Sequence, residues 1–493
     1  MLNYLIATVL ALLIILSLKI VLRSRNLPPG PRGIPIVGSI HKIVPNFHET
    51  IPLLAKEYGN IFRISVGPRT IICLVGYDII KEILVDRAKE FSDRATSVIA
   101  KLCRGESRDG IASSPYGPKW SANRKFLLST FRNLGLNKRG IEKTITSELP
   151  HLVEELHGCC RSGNLVDPSL ALEYATLNVI ASFTFGDRYD YGDKRFLELL
   201  HINNEFFQMS RVLRAPTMFI YSIIPFLHKL VLFDSVKQFA KAARKILDFV
   251  QVEVKRHLHT HDPQSPRDFI DCYITELKNN ENQFMTEKGM EMSIMDLFQA
   301  GTETSSTTLR WAILFMANYP QVQEKVHDEI ERVLGLQREV RYDDRMRMPY
   351  CEATILEVQR KASITPIGLV HAPSHDTTIR GYDIPKGSSV FISYHSMHFS
   401  PDHWKNPNQF DPENFLDADG SVGNRDAFMP FGVGLRRCAG IEIARQELFL
   451  YFVGILQKFD IQKPDDVKSI PEDPIVGLTL SPHPYKVVLR PKF

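Results

Sequence analysis

Cysteine is scarce in the 493-residue chain and nowhere paired by spacing: Cys73, Cys103, Cys159, Cys160, Cys272, Cys351 and Cys438 form an odd set with no CxxC. That disfavours a zinc ribbon or a secreted disulfide scaffold and leaves most of them as reduced, buried small hydrophobes. Net charge is almost absent as well. Lys and Arg exceed Asp and Glu by only four, and Lys19, Arg23, Arg25 and Arg32 account for the whole excess. The remaining body is neutral, which argues against nucleic acid as a partner. There is no internal repeat, no low-complexity tract and no GxGxxG fingerprint, so no dinucleotide or flavin module is evident. Apolar residues are plentiful, at 44% of the chain, enough for a large core.

One long apolar run stands at the N-terminus. Leu2 to Leu22 is long enough to cross a bilayer as a helix, and Tyr4 to Leu18 carries no charge. A cleaved signal peptide would have its basic residues before the apolar stretch; here they follow it, which favours a retained anchor over residues 1–22. The positive-inside rule then leaves the short N-terminus in the lumen and the body in the cytosol. Residues 23–38 form a basic and proline-rich linker, in which Pro28, Pro29, Pro31 and Pro35 exclude helix and stiffen the lead. Residues 39–493 are the body.

Within the body, Ile61–Val66 and Arg69–Val75 read as a hairpin around Gly67-Pro68, and Ser388–Tyr394 reads as a further strand. Most of the rest has helical periodicity. The longest helix is expected from Glu287 to Asn318, ended by Pro320 and roughly 45–50 Å long. The apolar segment Val212–Phe233, interrupted by Pro225, is either core or a surface element dipping into the bilayer.

The densest chemical signal is Phe431-Gly432-Val433-Gly434-Leu435-Arg436-Arg437-Cys438-Ala439-Gly440, followed by a helix pattern over Ile441–Gln457. Cys438 lies just before that helix, where free amide N–H groups favour a thiolate, and Arg436 adds a fixed cation nearby. Such a thiolate serves as a nucleophile or a metal ligand. A cysteine hydrolase would need a histidine base nearby, and no motif supplies one.

The string F-x-x-G-x-R-x-C-x-G resembles the haem-binding loop of the cytochrome P-450 family. The resemblance implies a mainly α fold with small β-sheets, a single haem domain crossed by a long helix, and Cys438 as the axial ligand of a haem b iron. Glu357 and Arg360, at i and i+3, resemble the family's E-x-x-R pair, which holds the core behind the loop; Asn414 stands where relatives often carry an arginine. Ala300-Gly301-Thr302-Glu303-Thr304-Ser305 resembles the oxygen-binding groove, where Thr304 steadies dioxygen and Glu303 passes protons to it. Its small and hydroxyl residues are expected to open the helix locally. Trp120, Arg124, Arg436, Arg94 and His371 match residues that donate to the haem propionates. Phe431, Gly440 and Ala300 are set against the cofactor.

By the same resemblance, to the microsomal drug-, fatty-acid- and steroid-oxidising branch, the substrate pocket takes in Asp296, Phe298, Gln299, Ala300, Ile364, Ile367, Gly368, Leu369 and Leu478. Gln299 is the polar exception and could bond a substrate hydroxyl or carbonyl. The implied reaction inserts one atom of O2 into a C–H bond or alkene of a lipophilic molecule and releases the other as water. Electrons come from a membrane-bound NADPH-cytochrome reductase, with a b-type cytochrome as a second donor, steered by Arg124, Lys125, Lys138, Arg139, Arg437 and Arg445. The implied location is the endoplasmic reticulum membrane. Two rivals keep the cofactor and change the role: a haem-thiolate isomerase or dehydratase needing no external electrons, and a non-catalytic haem sensor. An intact Glu303-Thr304 pair favours oxygen activation over the first; the absence of any signalling module speaks against the second.

Overall fold

A computed structural model describes residues 26–492 except 35–36, 43–45, 68, 96–100, 102–103, 106, 137–139, 161–164, 211–233, 280–281 and 336. The expected anchor, Cys103, the segment 212–233 and the basic pair Lys138 and Arg139 lie outside the described residues. Among the described residues no helix is long and apolar enough to cross a membrane.

Six helices position the site: α1 (Pro118–Phe131), α2 (Ser169–Phe185), α3 (Glu287–Asn318), α4 (Pro320–Leu334), α5 (Pro349–Ala362) and α6 (Ile441–Lys458). The limits of α3 follow from local chemistry. Thr286 caps it by accepting from the Gly289 N–H at 3.0 Å. Tyr319, immediately before Pro320, leaves the helical region, and Pro320 then starts α4 at the one position where its missing N–H costs nothing. The central helix α3 runs between α2 and α6. Helix α2 is buried along almost all of its length, because its sequence offers no polar face.

One expectation about α3 fails. It stays α-helical through residues 300–305. The hydroxyls of Thr302, Thr304 and Ser306 bond back to the carbonyls of Phe298, Ala300 and Thr302 at 3.0, 2.7 and 2.9 Å without breaking the helix. Gly301 serves packing, since a Cβ there would meet Ile180 of α2 at 2.9 Å.

The main sheet contains β1 (Ile61–Val66), β2 (Arg69–Leu74), β3 (Asp93–Arg94), β4 (His371–Ala372) and β5 (Ser389–Ile392), in the order β1-β2-β5-β4-β3. The hairpin turns at Gly67, as the alternation predicts, with Phe62, Ile64 and Val66 turned to the core. Strand β5 is shorter than expected because Ser393 caps a short helix beginning at Tyr394. Among the described residues three two-stranded sheets accompany the main sheet. The proline-rich lead is no free spacer over its described residues: Asn26 accepts from the Asp383 N–H, Pro29 from the Arg63 N–H, and Ser39 donates to Ser65. Of the six described cysteines, all are free thiols.

Candidate active site

Two elements build the cysteine loop. In the loop itself, the Cys438 N–H donates to the Phe431 carbonyl at 2.9 Å, and residues 434–436 make one 3-10 turn before α6 begins. Gly434 has φ +74°, and a Cβ there would lie 1.8 Å from the Leu84 carbonyl oxygen. No side chain fits in that position. Gly434→Ala is therefore expected to destabilise the protein by about 2–4 kcal/mol, from left-handed strain plus a backbone clash. Thermal unfolding of the purified variant checks it.

Behind the loop stands the pair on α5. Glu357 and Arg360 are both fully buried and joined twice, Nε to Oε2 and Nη2 to Oε1, each at 2.7 Å. The remaining Arg360 donors reach the carbonyls of His398, Pro407 and Gln409 at 2.6, 2.8 and 2.9 Å. Glu357 also accepts from the Asp411 N–H and, at 3.3 Å, from Asn414 Nδ2, so the third partner is a neutral amide. The neighbouring His398 carries the connection forward: its ring bonds Ser363 and accepts from the Met429 N–H, two residues before Phe431. Burial and Arg360 push this imidazole down to about 3, so it is neutral. His398, at the end of a short helix over Tyr394–His398, gave no signal in the sequence.

Cys438 is solvent-accessible at the loop, while protein surrounds it on most sides. The surroundings govern its acidity. Burial pushes the thiol above its ordinary value, against the Gly440 N–H, Arg124 and Arg437, which pull it down. The cation expected to help it, Arg436, is turned elsewhere. Its guanidinium lies 4.2 Å from the Trp120 ring centroid and donates to the carbonyls of Ser92, Ile111 and Ser114. Apart from its chain neighbours, no described residue comes within 4 Å of a Cβ placed at Gly440.

Arg94, Arg124, Arg436 and Trp120 converge beside this loop. Arg94 bonds the carbonyls of Ala112 and Leu369 at 3.1 and 2.7 Å; Arg124 bonds the carbonyl of Arg437 and sits over Trp120 at 5.6 Å. Among the described residues none of these three guanidinium groups donates to a carboxylate, although the Arg94 backbone N–H bonds Asp93 at 2.8 Å. Burial and mutual repulsion push Arg94 down to about 10 and Arg436 to about 9. The buried Trp120 Nε1 has no partner among the described residues. His371 reaches this group through the sheet, because the β3–β4 register sets it opposite Arg94. Its Nδ1 lies 2.8 Å from the Phe91 carbonyl and carries a proton to bond it, and burial with Arg94 and Arg436 nearby pushes the ring down to about 3.

An anionic, planar group with two carboxylates fits these residues: three guanidinium groups that bond no carboxylate and an indole N–H without a partner, among the described residues, border an accessible thiol.

On the central helix, Thr304 Oγ1 points back to Ala300, and Ala300 is exposed. Glu303 is held by two hydroxyls, Thr479 at 2.9 Å and Thr307 at 3.2 Å, and removal from water, with Glu173 nearby, raises its carboxyl to about 7. Thr479 was missed in the sequence; its only signal is adjacency to Leu478. Asp296 departs furthest from its expected role. Its carboxylate is taken up by Arg104 and by the N–H groups of Ile111 and Ala112, so it is not offered to a ligand. Phe298 is buried, Gln299, Ile364, Ile367 and Gly368 are half-buried, and Leu369 and Leu478 are exposed. The Gln299 Nε2 atom is buried with no partner among the described residues. Of the basic residues near the loop, Arg124 is committed to Trp120 and Arg437, Arg445 is paired with Glu442 at 3.8 Å, and Lys125 and Arg437 are exposed.

The sequence profile described as Cytochrome P450 matches residues 28–489. The chain belongs to the cytochrome P450 family. It is 38% identical to cytochrome P450 2B2 of Rattus norvegicus over 473 residues, covering 94% of this chain and 93% of that one. It is also 38% identical to cytochrome P450 2A13 of Homo sapiens over 498 residues, covering 99% of each, and 37% identical to cytochrome P450 2F3 of Capra hircus, covering 98% and 99%. As a cytochrome P450 it is a haem-binding monooxygenase.

Proposed function

We propose that the protein hydroxylates or epoxidises a lipophilic small molecule at a haem held by Cys438. The observation that carries the reading is the meeting, at one loop, of an accessible thiol with three guanidinium groups that bond no carboxylate and a tryptophan N–H with no partner among the described residues. When bound, the haem activates dioxygen with two electrons and two protons, so that one oxygen atom enters the substrate and the other leaves as water.

The chain's own residues do the rest. Cys438 would hold the haem iron through its sulfur. Arg94, Trp120, Arg124 and Arg436 hold the carboxylates, with His371 beside them and Phe431, Gly440 and Ala300 against the ring. Glu357, Arg360 and Asn414 brace the loop. Phe298, Ile364, Ile367, Leu369 and Leu478 supply apolar contact for the substrate, and Gln299 a polar one. Thr304 offers a hydroxyl on the distal side. Glu303 supplies protons: with its carboxyl raised to about 7, it keeps a proton below that pH and loses it above.

Residues 1–22 anchor this body in the endoplasmic reticulum membrane, with the N-terminus lumenal, residues 23–38 as the lead and 39–493 as the cytosolic catalytic domain. An NADPH-cytochrome reductase delivers electrons, with a b-type cytochrome as an alternative second donor.

The test is the carbon monoxide difference spectrum of the dithionite-reduced protein, followed by turnover with NADPH and reductase. A red-shifted band of the thiolate type and NADPH-dependent product are expected. A band of the histidine type, or none, overturns the reading, and rearrangement of a peroxide without NADPH would place the protein among the isomerases.

Glu303→Gln is expected to lower product formation about ten-fold while NADPH consumption continues, because general acid catalysis is lost. The wild-type decline in coupling as pH rises through about 7 should vanish with it. Thr479→Val, which removes a hydrogen bond favouring the charged carboxylate, should move that decline to higher pH. Product per NADPH against pH reads both.

A further inference from the structure

Between the central helix and the arginines runs a short strap of backbone, Gly110 to Ser114. Its N–H side faces Asp296 of α3: the Ile111 and Ala112 amides both donate to Asp296 Oδ2, at 2.7 and 2.9 Å. Its carbonyl side faces the other way. Ile111 and Ser114 accept from Arg436 at 3.2 and 2.7 Å, and Ala112 accepts from Arg94 at 3.1 Å. The peptide group joining Ile111 and Ala112 thus stands between a guanidinium at its carbonyl and a carboxylate at its N–H. It is polarised by both partners, and each bond strengthens the other. Gly110 permits the approach, having φ +92° and room for no more than hydrogen: a Cβ there would lie 2.6 Å from Asp296 Oδ2. Arg104 occupies Asp296 Oδ1, and Asp296 is 7% exposed.

Arg94 and Arg436 repel one another, and no carboxylate among the described residues orients their guanidinium groups through a hydrogen bond. Their aim depends on where the carbonyls of the strap point, and that depends on the anchor at the strap's N–H side.

We propose that Asp296 is a positioning residue for haem retention: by gripping the Ile111 and Ala112 amides it sets the carbonyls that hold Arg94 and Arg436 toward the haem carboxylates. The inference rests on the haem reading above. If the wild-type protein holds no haem, or holds it with an unchanged reduced-CO spectrum in Cys438→Ser, that reading has failed before Asp296 is touched.

The experiment is transfer of ferric haem from the full-length holoprotein to excess apomyoglobin, followed in the Soret band. Asp296→Ala should speed transfer about ten-fold, the effect of losing hydrogen bonds to a charged acceptor. Asp296→Asn keeps an acceptor oxygen for the two amides but turns its NH2 toward Arg104, so its rate should fall between those of wild type and Asp296→Ala. In an Arg94→Gln/Arg436→Gln background, already fast, adding Asp296→Ala should change the rate by less than about two-fold, because the two act through one another. Should Asp296→Ala not accumulate as holoprotein, Asp296→Ser, whose shorter side chain still gives up the carboxylate, replaces it in the same cycle. Asp344→Asn, a buried carboxylate bonded to Arg338 and Arg347 in another part of the fold, should leave transfer unchanged. Multiplicative effects in the cycle, or equal acceleration by Asp344→Asn, overturn the proposal.

Discussion

Cys438→Ser is expected to remain folded, to lose the thiolate-type band of the reduced carbon monoxide complex, and to form no detectable product. The substitution is nearly isosteric, and the loop is held by other groups: the amide of residue 438 bonds Phe431, Gly434 nests against Leu84, and Arg436 grips Ser92, Ile111 and Ser114. None of these needs sulfur. What disappears is the soft, electron-rich ligand. The surroundings lower the cost of its charge through the Gly440 N–H, Arg124 and Arg437, although burial outweighs them in the free thiol. A serine hydroxyl ionises far less readily, so the same helpers cannot rescue it. Far-ultraviolet circular dichroism alongside the spectrum separates loss of ligation from loss of fold. A normal thiolate-type band in Cys438→Ser would remove Cys438 from its role.

Arg360→Ala is expected to cost about 3–5 kcal/mol, the range for stripping one partner from a buried ion pair. Folded proteins commonly hold only about 5–15 kcal/mol in total, so little soluble holoprotein should accumulate. The geometry explains why this pair stands at the upper end. Glu357 would be left fully buried with only the Asp411 amide and the Asn414 side chain, and the carbonyls of His398, Pro407 and Gln409 would lose their donor. Arg360→Lys should fail nearly as badly, since one ammonium cannot span two carboxylate oxygens and three carbonyls. Asn414→Ala removes a single 3.3 Å bond and should cost about 1 kcal/mol. Urea unfolding of the three variants tests the order. An Arg360→Ala protein as stable as wild type would mean the pair does not brace the loop.

Much of this was readable in one dimension. The central helix begins and ends where Thr286 and Pro320 require, because capping and proline stereochemistry act within a few residues. The hairpin at Gly67 and the helix after Gly440 follow from equally local patterns. The loop around Cys438 was legible for a different reason: its residues are close in sequence, so their spacing is itself a signature. Gly301 shows the limit. In the string it suggests an opened helix, and in the fold it makes room for Ile180, a residue more than a hundred positions away.

The amino-acid order alone determined the central helix, the helix after Cys438, the hairpin and the family, since each depends on neighbours along the chain. Tertiary structure decided what the site residues face. The β3–β4 register put His371 against Arg94, packing turned Arg436 from Cys438 to Trp120, Thr479 came to hold Glu303, and the strap at Gly110–Ser114 claimed Asp296. Each of these joins groups distant in sequence. A side chain's partner is chosen by burial, which leaves no polar group unmatched without cost, and only the folded chain fixes which groups are buried together.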